Sequence, residues 1–226
     1  MIFGGMQKSS TIDFPGVLSC VLFTRGCDFN CFYCHNRELI SRAGPCLPEE
    51  EVWAFLQKRK GLLDGVVISG GEPTLQTDLP EVLGRIRAMG YKTKLDTNGQ
   101  RPGAVVALWE AGLLDYIALD IKALPADYPA VTQKQGTGTI KTAKALQWLG
   151  AAYELRTTLY PGLSMEQLKE LLSAFPPVPR WRLNYFRPPE VFRPQDAPLL
   201  QRPALSPVAI VAEREALLAL QPNLLT

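Results

Sequence analysis

Two periods of apolar residues alternate along the chain. Six short runs rich in β-branched and aromatic residues read as strands: "VLSCVLFT" (17–24), "GVVISG" (65–70), "YKTKLDT" (91–97), "YIALDIK" (116–122), "YELRTTLY" (153–160) and "WRLNYF" (181–186). Between them the apolar positions shift to helical spacing. "EEEVWAFLQKRK" brings Val52, Phe55 and Leu56 onto one face, and "LPEVLGRIRAMG" does the same with Leu79, Val82, Leu83 and Ile86. "SMEQLKELLSAF" stripes Leu168, Leu171, Leu172 and Phe175 behind Ser164 and Gln167 at capping-box spacing.

Strands alternating with helices in this way pair in parallel through right-handed crossovers. Six such units fall two short of a closed eight-stranded barrel. The pattern predicts the α/β class and a partial, open (β/α)6 barrel. It also predicts a single domain over residues 1–226, with its core at about 17–186 and a C-terminal extension at 187–226. In parallel sheets ligands gather at the carboxyl ends of the strands, where loops and helix N-termini converge. A cysteine-rich stretch, "GGEPT", "DTNG" and "DIK" all fall at such ends. Two Pro-, Gly- and polar-rich segments, 124–139 and 186–207, read as long loops.

Composition narrows the function only by exclusion. Hydrophobic residues make up 46% and charged residues 20%, and 24 basic against 22 acidic side chains leave a net charge of +2, so no nucleic-acid footprint is expected. The start "MIFGGMQKSSTIDFPG" lacks the basic and apolar blocks of a leader, and no apolar run approaches the length of a membrane span, so a soluble cytoplasmic protein without membrane contact is expected. Five cysteines, three of them within eight positions, argue against a disulfide framework and for a reduced compartment.

Those three cysteines carry the chemistry. "CDFNCFYCHN" (27–36) places Cys27, Cys31 and Cys34 where their thiolates can converge on one metal centre. Structural zinc sites and electron-transfer iron–sulfur clusters take four protein ligands, so three cysteines on a [4Fe–4S] cluster would leave one iron free for a small molecule. A zinc site would instead recruit Cys46, or His35, which adjoins Cys34 too closely to reach the same ion easily. Cys20, inside an apolar strand, reads as a small buried hydrophobe. "SGGEP" (69–73) offers adjacent glycines that let backbone approach a ligand and a carboxylate to sit beside a cation, or a plain strand-to-helix turn with Pro73 opening the helix. Asp96 in "LDTNG" and Asp120 in "LDIK" end strands three and four, as pocket carboxylates or as turn and cap residues.

Cys-x3-Cys-x2-Cys after a first strand, with Tyr33 before the third cysteine, resembles the signature of radical S-adenosylmethionine (SAM) enzymes. The resemblance implies that Cys27, Cys31 and Cys34 hold the [4Fe–4S] cluster, that SAM chelates the open iron and is cleaved by an electron from the cluster, and that Tyr33 flanks the adenine. Gly70, Gly71 and Glu72 resemble the element that holds the SAM ammonium. "DTNG" and "DIK" resemble elements that border SAM in the activases of glycyl radical enzymes. They make Asp96 and Asn98 cofactor contacts, Lys122 a contact to SAM or substrate, and Asp96, Thr97 and Asp120 candidates for a monovalent cation. Arg156 matches an arginine reaching the SAM carboxylate, a task suited to a bidentate guanidinium, with an ordinary surface salt bridge as the competing reading. Relatives place a histidine in the last strand, but the sole histidine here is His35, which leaves Asn184 or Tyr185 as substitutes or a strand that contributes only packing.

"TIDFPG" (11–16) and "CHN" (34–36), with a match over about residues 8–160, resemble the activating protein of anaerobic ribonucleoside-triphosphate reductase and pyruvate formate-lyase activases. The resemblance implies a partner glycyl radical enzyme, an anaerobic setting, an electron donor such as flavodoxin or ferredoxin, and abstraction of a glycine hydrogen from the partner. About thirty residues between Cys34 and the second strand leave no room for a ferredoxin-like insert. The alternatives are a radical SAM enzyme acting on a small molecule, in deazapurine or cofactor biosynthesis, and a non-catalytic metal-binding module.

Overall fold

All six expected strands form, and two more extend the sheet. The computed structural model describes residues 1–226. It runs β1 (Phe3–Ser10), β2 (Ser19–Thr24), α1 (Glu49–Arg59), β3 (Gly65–Gly70), α2 (Leu79–Ala88), β4 (Lys92–Thr97), α3 (Pro102–Glu110) and β5 (Tyr116–Asp120). Then come α4 (Tyr128–Thr132), α5 (Thr137–Trp148), β6 (Tyr153–Leu159), α6 (Met165–Ser173), β7 (Trp181–Tyr185), α7 (Ala197–Leu200), α8 (Pro207–Ala212), α9 (Arg214–Leu220) and β8 (Leu224–Leu225). The strands lie side by side in chain order in one 8-stranded sheet. β1 is antiparallel to β2 and every later pair is parallel. β1 and β8 are not paired, so the barrel stays open on that side.

The two unforeseen strands have weak signals. β1, "FGGMQKSS", carries two glycines and no apolar alternation, and β8 is two residues long. β8 brings the C-terminal segment into the sheet, and the main cluster of 46 buried apolar residues runs from Phe3 to Leu224. The segment 124–139, expected as a loop, holds α4 and the start of α5. The reason is local: Pro129 starts a short helix whose Tyr128 and Val131 are buried against the cysteine loop. On α1 the buried face is Val52, Trp53 and Leu56 rather than one containing Phe55, which is half-buried with Arg59 over its ring. α6 closes its capping box as the spacing predicts, Ser164 Oγ accepting from Gln167 N at 3.2 Å and Gln167 Oε1 from Ser164 N at 3.1 Å.

Strand alternation divides the barrel into an apolar outer face and a mixed interior. Cys20, Leu22, Ile68 and Leu95 belong to the main core under the helices. The alternate positions belong elsewhere: Val21 and Val67 form a second small cluster, while Lys94, Asp96, Glu154 and Arg156 make ion pairs with one another. "TIDFPG", between β1 and β2, folds under this second cluster. Phe14 packs with Val17, Val21 and Val67 and tilts against Tyr116 at the foot of β5. Ser10 Oγ donates to Asp13 Oδ2 at 2.5 Å and accepts from the amides of Ile12 and Asp13, which fixes the turn. Across the open side, Arg182 Nη1 on β7 donates to Ile12 O at 3.3 Å.

Phe14 closes the foot of the interior, so Phe14→Ala is expected to cost about 3–5 kcal/mol, the usual range for emptying a buried aromatic site. A lowered urea midpoint at unchanged denaturant slope is the outcome that checks it.

Candidate active site

The cysteine loop leaves the end of β2 and is held by backbone contacts on three sides. Gly26 N and Cys27 N donate to Leu39 O (2.7 Å) and Ile40 O (3.0 Å), while Asn30 N and Phe32 N donate to Thr132 O (2.9 Å) and Val131 O (3.2 Å) of α4. Buried Arg25 organises the return of the loop, its guanidinium donating to the carbonyls of Glu38, Ser41, Ala43 and Pro45. Sequence reading missed this role, because an arginine bonded only to carbonyls has no acidic partner to reveal it. Arg37 adds a clamp, donating to Cys31 O at 3.1 Å and Asn30 Oδ1 at 2.5 Å.

Gly70 and Gly71 at the end of β3 dock on this loop. Gly70 adopts φ +107, and a Cβ there would strike the Thr24 backbone, while one on Gly71 would strike the Gly26 carbonyl. Gly71 N donates to Thr24 O and Glu72 N to Gly26 O, both at 2.8 Å. The two glycines therefore let backbone approach backbone, and bring β3 against the loop that carries the cysteines.

Glu72 is fully buried and does not line the cavity. Its Oε1 accepts from Thr74 N (3.1 Å), Thr74 Oγ1 (2.6 Å) and Thr97 Oγ1 (2.7 Å), and its Oε2 accepts from Asn98 N (2.7 Å). Burial pushes its carboxyl up, and these hydrogen bonds offset part of that. In the protein alone Glu72 is a clamp between the ends of β3 and β4.

The other sequence-predicted residues share one cavity of about 850 Å³ at the carboxyl ends of the strands. Cys27, Cys31 and Cys34 line it, with Tyr33, Gly70, Gly71, Asp96, Thr97 and Asn98 beside them and Asp120, Lys122 and Arg156 opposite. Asn184 and Tyr185 line it from β7, and His35 reaches it next to Cys34. Cys46 is exposed and outside, so the fourth thiolate of a zinc site is not at hand. Cys20 is buried in the core as expected.

Charges inside the barrel form one chain of alternating sign. Lys94 Nζ, fully buried, donates to Asp96 Oδ1 at 2.7 Å and lies 3.8 Å from Glu154 Oε1. Arg156 Nη1 donates to Asp96 Oδ2 (3.1 Å) and its Nε to Asp120 Oδ1 (3.0 Å), and Lys122 Nζ donates to Asp120 Oδ2 (3.1 Å). Arg180 Nε ends the chain 2.9 Å from Glu154 Oε2. Burial would raise the Asp120 carboxyl, but Lys122 and Arg156 overcome it and hold it at about 2. Asp96 is likewise lowered against the effect of burial by Arg156 and Lys94. Lys94 and Glu154 were missed, although period-2 alternation in "KTKLDT" and "YELRTT" sets Lys94 beside Asp96 and Glu154 beside Arg156 on one strand face.

The residues present suit a thiolate-bound cluster with an organic ligand. Burial raises all three thiols, Cys31 to about 12, so holding a metal centre requires loss of their protons, as metal binding supplies. The Tyr33 hydroxyl is buried with no hydrogen-bond partner in the protein, while its ring stacks on Tyr160 with centroids 5.2 Å apart. An orphaned hydroxyl on the wall beside the cysteines is a contact left for a ligand.

Two outcomes test this geometry. Gly71→Ala is expected to displace the cysteine loop and lower iron incorporation on anaerobic reconstitution, while Gly5→Ala, whose Cβ would meet nothing within 4 Å, leaves loading at the wild-type level. Asp96 and Asp120 have folded pKa values below the unfolded one. Their stabilisation is therefore complete above about pH 4 and is lost as pH falls below the ordinary carboxylate range, for Asp120 toward about 2. Asp120→Asn should flatten that part of the stability profile, measured as urea midpoint against pH.

Comparison with known proteins gives the family. Residues 21–175 match the model of the radical SAM superfamily. A Methanocaldococcus jannaschii protein named as a glycyl-radical enzyme activating enzyme is 29% identical over 199 residues, covering 84% of this chain and 82% of that one. The pyruvate formate-lyase-activating enzyme of Clostridium pasteurianum is 31% identical over 175 residues, covering 74% and 72%. Among solved structures, Streptococcus suis SuiB superposes with a TM-score of 0.65 at 18% identity over 87% of this chain. TYW1 with a lysine-pyruvate adduct bound gives 0.59 at 17% over 90%. These two likenesses speak for the fold alone, and the chain spans 44% of SuiB's length. No helix is long and apolar enough to cross a membrane. With the family come its cofactors, a [4Fe–4S] cluster and SAM: the chain belongs to the radical SAM superfamily, in the branch of enzymes that activate glycyl radical enzymes.

Proposed function

We propose that this radical SAM activase installs a glycyl radical on an anaerobic ribonucleoside-triphosphate reductase or a close relative of it. The observation that carries the reading is three cysteines on one loop, facing a cavity that reaches the open side of the barrel. Three thiolates leave one iron of a cluster free, and an open side gives a folded loop of another protein a way in. "TIDFPG" and "CHN" favour the reductase among glycyl radical partners.

Cys27, Cys31 and Cys34 hold the cluster, and Tyr33 offers its ring and free hydroxyl to SAM. Gly70 and Gly71 bring the backbone after β3 beside the ligand, and Glu72 keeps that backbone and the Asn98 turn in place. Arg156 and Lys122 present cationic groups to the SAM carboxylate, oriented by Asp96 and Asp120. When bound, the reduced cluster and SAM supply a carbon-centred radical able to take a hydrogen atom from glycine. Residues 1–226 act as one unit, in an anaerobic cytoplasm, with flavodoxin or ferredoxin as electron donor. Recognition of the partner rests on shape and backbone hydrogen bonds more than on charge, since a net charge of +2 steers weakly.

Mixing the reduced holoenzyme, SAM and the reductase anaerobically should give a doublet glycyl EPR signal on the reductase, absent with Cys34→Ala. If 5′-deoxyadenosine forms while the reductase stays silent and a small molecule acquires deuterium, the substrate is that molecule instead.

A further inference from the structure

The resemblance noted in the sequence makes Asp96, Thr97 and Asp120 a site for a monovalent cation, and the side chains around them are already committed. Asp96 gives one oxygen to Lys94 and the other to Arg156. Asp120 gives one to Arg156 and the other to Lys122. Thr97 Oγ1 donates to Glu72 and accepts from Gly99 N at 3.0 Å, so its hydroxyl is used twice.

The charges match as well. From β4 come Lys94 and Asp96, from β5 and its end Asp120 and Lys122, and from β6 Glu154 and Arg156. Three carboxylates thus face three cations, with Arg180 at the margin on Glu154. Lys94 is the member whose presence the cofactors do not explain. It is fully buried, does not line the cavity, and lies 5.9 Å from the face of Tyr116, with Asp96 and Glu154 as its carboxylate partners. An ammonium and a potassium ion are close in size and equal in charge.

We propose that the Lys94 ammonium is this chain's own cation at Asp96, and that SAM binding here needs no monovalent metal ion. An added ion would have to displace an ammonium or a guanidinium from a carboxylate, leaving a charge inside the barrel unpaired, fully buried in the case of Lys94. Lys94 acts through Asp96 on Arg156, which makes it a positioning residue. The inference rests on the SAM site read above. SAM binding by the wild type in any salt tests that reading, and the dependence of binding on the ion tests this one.

The experiment is equilibrium binding of SAM to the anaerobically reconstituted protein in choline chloride, sodium chloride or potassium chloride at one ionic strength. Wild-type affinity should differ by less than about twofold among the three salts, as expected when no ion is taken up with SAM. Lys94→Ala removes the ammonium and leaves room for an ion. In choline it should bind SAM about tenfold or more weakly, the loss of one charge-assisted hydrogen bond in the positioning chain, and potassium or sodium should restore most of that. A wild type that loses about tenfold without alkali ions overturns the proposal. So does a Lys94→Ala protein with wild-type affinity in choline, or one whose loss no alkali ion relieves. If that variant does not fold, the wild-type salt series decides alone.

Discussion

The constraint on which the rest depends is a row of paired charges that starts at the buried Lys94 and Asp96 and runs out to the half-buried Arg156, Asp120 and Lys122. Lys94, Asp96, Arg156, Asp120 and Lys122 alternate in sign from the interior of the barrel toward its mouth, each within 3.1 Å of the next. Removing one member of such a chain leaves its neighbours charged in a medium that solvates them poorly, so the chain holds as a unit. Because its members sit on β4, β5 and β6, it ties three strands together across the interior. It also fixes where two cationic groups, Arg156 and Lys122, meet the cavity.

The opposite wall is built mainly on backbone groups. Gly70 and Gly71 bring β3 onto the cysteine loop, Arg25 gathers four carbonyls of the loop's return, and α4 accepts two of its amides. The cysteines are thus held by main-chain hydrogen bonds and close packing, and the thiols themselves remain free for metal. One wall carries three free thiols and the other the cationic side chains of Arg156 and Lys122. The unpaired edges of β1 and β8 leave the cavity reachable from the side, as a protein substrate requires.

Much of the fold was legible because six strands and their helices carry clear periods, and the capping box of α6 appears as written. What escaped has physical reasons. β1 and β8 are strands by virtue of their neighbours, one glycine-rich and the other two residues long, with little propensity of their own. α4 is a five-residue helix stabilised by packing on the cysteine loop, and a helix that short has no independent signal. Trp53 took the buried face of α1 in place of Phe55 because the helix is turned slightly from the orientation its pattern suggests.

The sequence by itself determined the chemistry: three thiols at spacings of four and three, a Gly-Gly-Glu after a strand, and aspartates ending two further strands. Such features are local, set by ligand spacing and by strand ends, and survive without knowledge of the fold. Only the tertiary structure decided how the charges were shared. Glu72 faces Thr74, Thr97 and the Asn98 amide rather than the cavity, and Asp96 answers to Lys94 on its own strand and to Arg156 from β6. Which cation a buried carboxylate takes depends on the register between strands and on what else is desolvated beside it, and neither is written in any single stretch of chain.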